Sequence, residues 1–78
     1  MDEFVAIEKM IMDAFYSLNH LGIMRNQMID DIYYIVNRQA QENYENGIFK
    51  HRPDRISRST IENTIAMVLR SQIPYVYV

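Results

Sequence analysis

The chain contains no cysteine and no tryptophan, and only two glycines and two prolines. Without cysteine there are no disulfides and no thiolate metal sites, which suits a reducing compartment. So little glycine and proline leaves no room for a long disordered linker. No run of roughly 18 apolar residues occurs, so the sequence predicts no membrane-spanning helix. Asp2 and Glu3 stand where a signal peptide would carry Lys or Arg. The expectation is a soluble, cytoplasmic chain.

Chemistry-bearing patterns are also missing. The sequence has neither a glycine-rich phosphate loop nor a nucleophile elbow. His20 and His51 lie far apart on different predicted elements, and Asp30 and Asp31 point to different sides of one helix. Metal ligation needs such groups at helical spacing or across facing helices. The residues therefore predict a non-enzyme with no metal and no cofactor.

What is present is a short apolar chain with an uneven charge. Of its 78 residues, 49% are hydrophobic, enough for a single domain over 1–78. A chain of this length buries only about 60–65% of its unfolded surface. Its core is worth a few kcal/mol at most, and small domains add a supplement. With disulfides excluded, the expected supplement is a homo-oligomer or docking on a larger protein. The net charge is −2, yet residues 1–49 hold eight acids and three bases, and residues 50–78 hold five bases and two acids. Two readings of that asymmetry stand: the halves attract each other in the fold, or each faces a partner of opposite sign.

Periodicity predicts an all-α fold of three helices, about 2–21, 26–46 and 59–72, with a basic loop and a short extended tail. In the first helix Phe4, Ile7, Ile11, Phe15 and Leu18 recur at three- and four-residue spacing, widened by Met10, Ala14 and Leu21. Val5, Met12 and Tyr16 form a second apolar flank. Asp2 is a candidate N-cap, and Gly22 a left-handed stop with Ile23 packing back. The second helix is expected to start at an Asn26 N-cap. Its inward face is Met28, Ile29, Ile32, Ile35 and Val36, with Tyr33 at the margin and Tyr34 outside, and Gly47 ends it. Pro53 breaks the next stretch, where Ile48, Phe49 and Ile56 are expected to pin the loop. Ser59-Thr60-Ile61-Glu62 reads as a capping box for the third helix. That helix turns Ile61, Ile65, Val68 and Leu69 inward and stops at Pro74.

Three candidate surfaces follow. Val5, Met12, Tyr16 and Tyr34 are the expected partner-binding residues, with Val5, Met12 and Tyr16 joining two copies of the chain. Six methionines and six tyrosines support an adaptable contact surface, whereas Met10, Met28 and Met67 are expected to fill the core. Lys50, His51, Arg52, Arg55 and Arg58 form a basic loop before a helix N-terminus, suited to an anion or a phosphate backbone. Tyr75, Val76, Tyr77 and Val78 alternate aromatic and β-branched residues, a pattern for a docking strand. His51-Arg52-Pro53-Asp54 resembles the His-Pro-Asp tripeptide of J-domain co-chaperones. An arginine is inserted here and the flanking basic helix pattern is missing, so no function is carried over.

The sequence thus points to a non-enzymatic protein-interaction module: an adaptor, assembly factor or inhibitor. A phage or mobile-element accessory protein that blocks a host protein surface fits this description. The alternative is a small nucleic-acid-binding regulator using loop 50–58.

Overall fold

The computed structural model describes residues 3–72 as three helices, α1 (Glu3–His20), α2 (Arg25–Glu45) and α3 (Arg58–Gln72). No strand occurs among the described residues. Each helix packs against the other two. The least exposed large side chains are Ile11 of α1, Ile32 and Val36 of α2, and Ile61 of α3. Met28, Ile29, Ala40 and Ile65 extend this core along α2 and α3, at the spacing a buried helical face requires. The expected tail residues Tyr75, Val76, Tyr77 and Val78 lie outside the described residues.

α1 departs from the expected stripe in an informative way. Met10, Ile11 and Met12 are all buried, Met12 at 7% exposure. Three consecutive residues at about 100° each span roughly 200° of the helix surface. α1 is therefore covered from two sides at its middle, by α2 and by α3. Met12 is core, not the centre of a partner-binding flank. The helix ends escape this cover, which leaves Phe4, Val5 and Leu21 exposed.

The helix boundaries show which local signals win. α1 ends as expected: Gly22 adopts φ +73°, and its N–H reaches the Asn19 carbonyl at 3.1 Å. α2 does not start on an Asn26 cap. Met24 holds the N-cap position in an extended conformation, with no side-chain cap bond. At the far end Gly47 takes φ +77°. The Asn43 carbonyl then accepts the N–H groups of both Ile48 (2.8 Å) and Phe49 (3.1 Å). That tight reversal puts Phe49 into the core and turns Ile48 outward, contrary to the expectation that both pin the loop. α3 starts one turn-fragment earlier than the capping box implied. Ser57, not Ser59, is the cap: its Oγ accepts the Thr60 N–H at 3.1 Å and contacts the Thr60 hydroxyl at 2.9 Å. Ile35 and Met67 are likewise exposed rather than buried, and Leu69 is only partly covered.

One polar side chain fixes the long loop to α2. Asn37 Oδ1 accepts the Ile56 N–H at 2.7 Å, and Asn37 Nδ2 donates to the Ile56 carbonyl at 2.9 Å and to the Tyr33 carbonyl at 2.8 Å. The carboxamide thus pairs with one residue's backbone as a neighbouring strand would. It holds Ile56 buried and sets where the basic segment runs.

Candidate functional site

Loop 48–57 lies alongside α2, and its arginines, with Arg58 at the start of α3, rest on tyrosines of that helix. The Arg58 guanidinium lies 4.3 Å from the centre of the Tyr33 ring, and its Nε pairs with Asp30 Oδ1 at 2.9 Å. Arg55 Nη1 donates to the Tyr33 hydroxyl at 2.7 Å, with its guanidinium 5.8 Å from the same ring. Arg52 lies 5.9 Å from the Tyr44 ring. Tyr34 meets Tyr33 edge to face, with centroids 6.1 Å apart. Tyr33, placed at the margin by sequence, is therefore the hub of the loop. Tyr33 and Asn37 are one helical turn apart on α2, so one strip of the helix holds both the loop backbone and its cations.

This arrangement answers the charge asymmetry in part. Among the described residues the two halves meet in one side-chain ion pair, Arg58–Asp30, in which both side chains are more than half exposed. Such a pair contributes at most about 1 kcal/mol. The Lys50 backbone N–H also donates to Glu3 Oε1 at 3.1 Å. Arg52 and Arg55 have no carboxylate within pairing distance among the described residues. The predicted loop cations are all exposed, as is His51, and Arg52, Arg55 and Arg58 are gathered on one side of α2.

Between α2 and the loop lies a groove of about 330 Å³, walled by Tyr33, Tyr34, Arg38, Pro53, Asp54 and Arg55 and floored by Asn37 and Ala40. Beside it runs the outer face of α2. Three i,i+4 polar pairs cross that face: Gln27–Asp31, Arg38–Glu42 and Gln41–Glu45. Set among them are two apolar side chains, Tyr34 at 74% exposure and Ile35 at 44%, and Met24 at the N-cap is exposed too. Tyr34 and Arg38 belong to both the groove and the face, so the two form one continuous surface.

Of the four predicted contact residues, Tyr34 lies on this surface and Met12 does not. Val5 and Tyr16 are accessible on α1, but about 16 Å of helix rise separates them. With Met12 turned inward they form no continuous stripe. Other clefts are present among the described residues. One, of about 430 Å³, lies between α1 and the C-terminal part of α2 and is lined by Glu3, Lys9, Asp13 and Lys50 among others. An apolar cleft of about 230 Å³ lies where Phe15, Ile23, Met28, Ile65 and Leu69 meet. Among the described residues no three His, Asp or Glu side chains converge on a metal position, and no helix is long and apolar enough to cross a membrane.

Comparison with protein-family models, curated proteins and solved structures finds no match. The four-residue likeness to J-domains is thus not accompanied by a family match.

Proposed function

We propose that this chain is a non-enzymatic protein-interaction module that works by covering a partner's surface with α2 and its flanking groove. The observation that supports this most is the exposure of Tyr34 and Ile35, neighbours on the side of α2 turned away from the core, with Tyr34 also in the wall of the groove. Large apolar side chains grouped on a helix face are the usual anchors of helix docking, and tyrosine and arginine dominate binding energy at interfaces. The i,i+4 pairs around them form a polar rim. An adaptor, an assembly factor or an inhibitor of host machinery would use such a surface in the same way, and a homo-oligomer would use it between copies. The Val5–Met12–Tyr16 flank is not the surface proposed, because burial of Met12 removes its centre.

The test is capture from cells of the protein's source with the tagged chain, alongside the double variant Tyr34→Ser and Ile35→Ser. Both positions are exposed, so the variant is expected to keep its helical circular dichroism and melting temperature. The expected result is a defined protein recovered at constant ratio by the wild type and lost from the variant. Equal recovery by both, or recovery of nucleic acid without protein, overturns the reading.

A further inference from the structure

The groove between α2 and loop 50–58 has a distinctive arrangement of charge. Arg38 and Arg55 line it; Arg58 lies over the ring of Tyr33 in its wall, and Arg52 lies just beyond its end, over Tyr44, one helical turn past Ala40. The charges of these four arginines are disposed in two ways. Arg38 and Arg58 each already have a carboxylate, Glu42 at 3.2 Å and Asp30 at 2.9 Å. Arg52 and Arg55 have tyrosine instead: a ring face for Arg52, a ring face and a hydroxyl for Arg55. A ring holds a guanidinium in place without neutralising it. Pro53 between them keeps the segment extended. The loop is further tied down at Ile56 by Asn37. One cation, Arg55, is therefore held in part-immobilised form in the wall of a cleft that Tyr34 and Pro53 also line, and a second, Arg52, is held next to Pro53 over Tyr44 at the end of that cleft. Immobilisation before binding lowers the ordering cost of each new contact.

We propose that this groove receives an acidic peptide segment of the partner, with an aromatic or proline side chain against Tyr34 and Pro53 and carboxylates on Arg52 and Arg55. The proposal rests on the protein-interaction reading and names the chemistry of the partner. The cleft, at about 330 Å³, has room for one large side chain. The surrounding charge decides between a peptide and a nucleic-acid strand. Asp54 lines the groove, and Glu42 and Asp30 stand beside Arg38 and Arg58. A phosphate chain carries a charge at every nucleotide and would be forced past these acids. Discrete carboxylates need to meet only the two open guanidinium groups, which bind such groups in bidentate fashion.

The test is fluorescence anisotropy on the full chain, with three labelled probes in about 50 mM salt, where exposed charge pairs are little screened. One probe is a peptide with a phenylalanine between pairs of glutamates. The second replaces every glutamate by glutamine, and the third is oligothymidylate. The expected result is binding of the glutamate peptide about tenfold tighter than its glutamine counterpart, within the two- to roughly thirtyfold that two exposed charge pairs supply. Arg52→Gln, which disturbs only an exposed ring contact and leaves the fold intact, removes about half of that preference on a logarithmic scale. Arg52→Gln with Arg55→Gln removes the rest. Arg38→Gln, whose charge is already matched, leaves it within about 1.5-fold. Equal affinity for both peptides, no binding of either, or oligothymidylate bound more tightly than the glutamate peptide each overturns the proposal. Failure here is separable from failure of the broader reading. If the arginine double variant still captures the partner that Tyr34→Ser with Ile35→Ser loses, the module stands and the acidic-peptide assignment falls.

Discussion

The carboxamide of Asn37 offers the sharpest test of how this small domain holds its loop. The side chain donates twice and accepts once, over 2.7–2.9 Å, with Ile56 supplying both a donor and an acceptor. Asn37→Asp conserves shape and removes the donors. A carboxylate oxygen would then face two carbonyl oxygens, so the side chain must turn away and leave the Ile56 carbonyl without its partner. The Tyr33 carbonyl is less affected, since it also serves the helical ladder of α2. One stranded group costs about 1–3 kcal/mol, and the lost bonds add about 1 kcal/mol. A loss of about 2–4 kcal/mol is a large fraction of the stability of a domain this size.

The pH dependence gives the mechanism its own signature. The introduced carboxyl is pushed above its ordinary range by the carbonyl oxygens around it. The folded state then holds its proton at pH values where the unfolded chain has released it. Stability relative to wild type therefore falls as pH rises from the unfolded carboxyl pKa, about 3.9, and levels off above the raised folded value. Below that window the protonated group donates again to Ile56, and about half the loss should be recovered. Urea unfolding followed by circular dichroism at pH 7 and at about pH 3.5, always against wild type, measures both effects. Asn37→Leu should show a similar loss at pH 7 and no recovery in acid. An Asn37→Asp variant within about 0.5 kcal/mol of wild type at pH 7, or one with no acid recovery, would refute the bridge as the loop's anchor.

Two further substitutions test the packing and the caps. Met12→Glu places a carboxylate in the core between α2 and α3 and should cost about 3 kcal/mol or more, leaving little helical signal at 25 °C; a variant that melts within a few degrees of wild type would return Met12 to the surface. Ser57→Ala should cost about 1 kcal/mol in urea unfolding while Ser59→Ala is close to neutral, and the reverse order would restore the capping box at Ser59.

Much of the architecture is legible in periodicity, because a short helical chain is held together chiefly by burial of its helix faces. Ile11, Ile32, Val36, Ile61 and Ile65 follow directly from three- and four-residue spacing and are all in the core. Gly22 and Gly47 mark their stops because a positive φ is nearly free only for glycine. Errors arise where burial depends on the neighbour. The spacing of α1 specifies a stripe, but Met12 is buried because a second helix covers the other flank. Ile35 shows the converse. It belongs to the apolar pattern of α2, yet no element packs on its side. Caps fail for a related reason: Asn26 and Ser59 are good cap residues, but Met24 and Ser57 sit where tertiary geometry places the first free N–H groups.

The groove was less legible than the core for a physical reason. The basic run 50–58 is visible in sequence, but a run of arginines has no direction until something holds it. What holds it is a residue type that sequence reading assigns to loops or solvent inside a helix, an asparagine, committing two of its three hydrogen bonds to a residue 19 positions away. Once Ile56 is fixed, Arg55 and Arg58 flank it and must lie along α2, where Tyr33 and Asp30 already stand at helical spacing. Asp30 absorbs one of the two charges, and a tyrosine hydroxyl cannot absorb the other. The open cations are thus a consequence of packing. In this chain the same bridge that stabilises the loop also presents Arg52 and Arg55, so Asn37→Asp at neutral pH should weaken the glutamate-peptide preference together with stability. Arg52→Gln should weaken the preference alone, and that divergence separates a presented site from a charged loop that merely happens to be ordered.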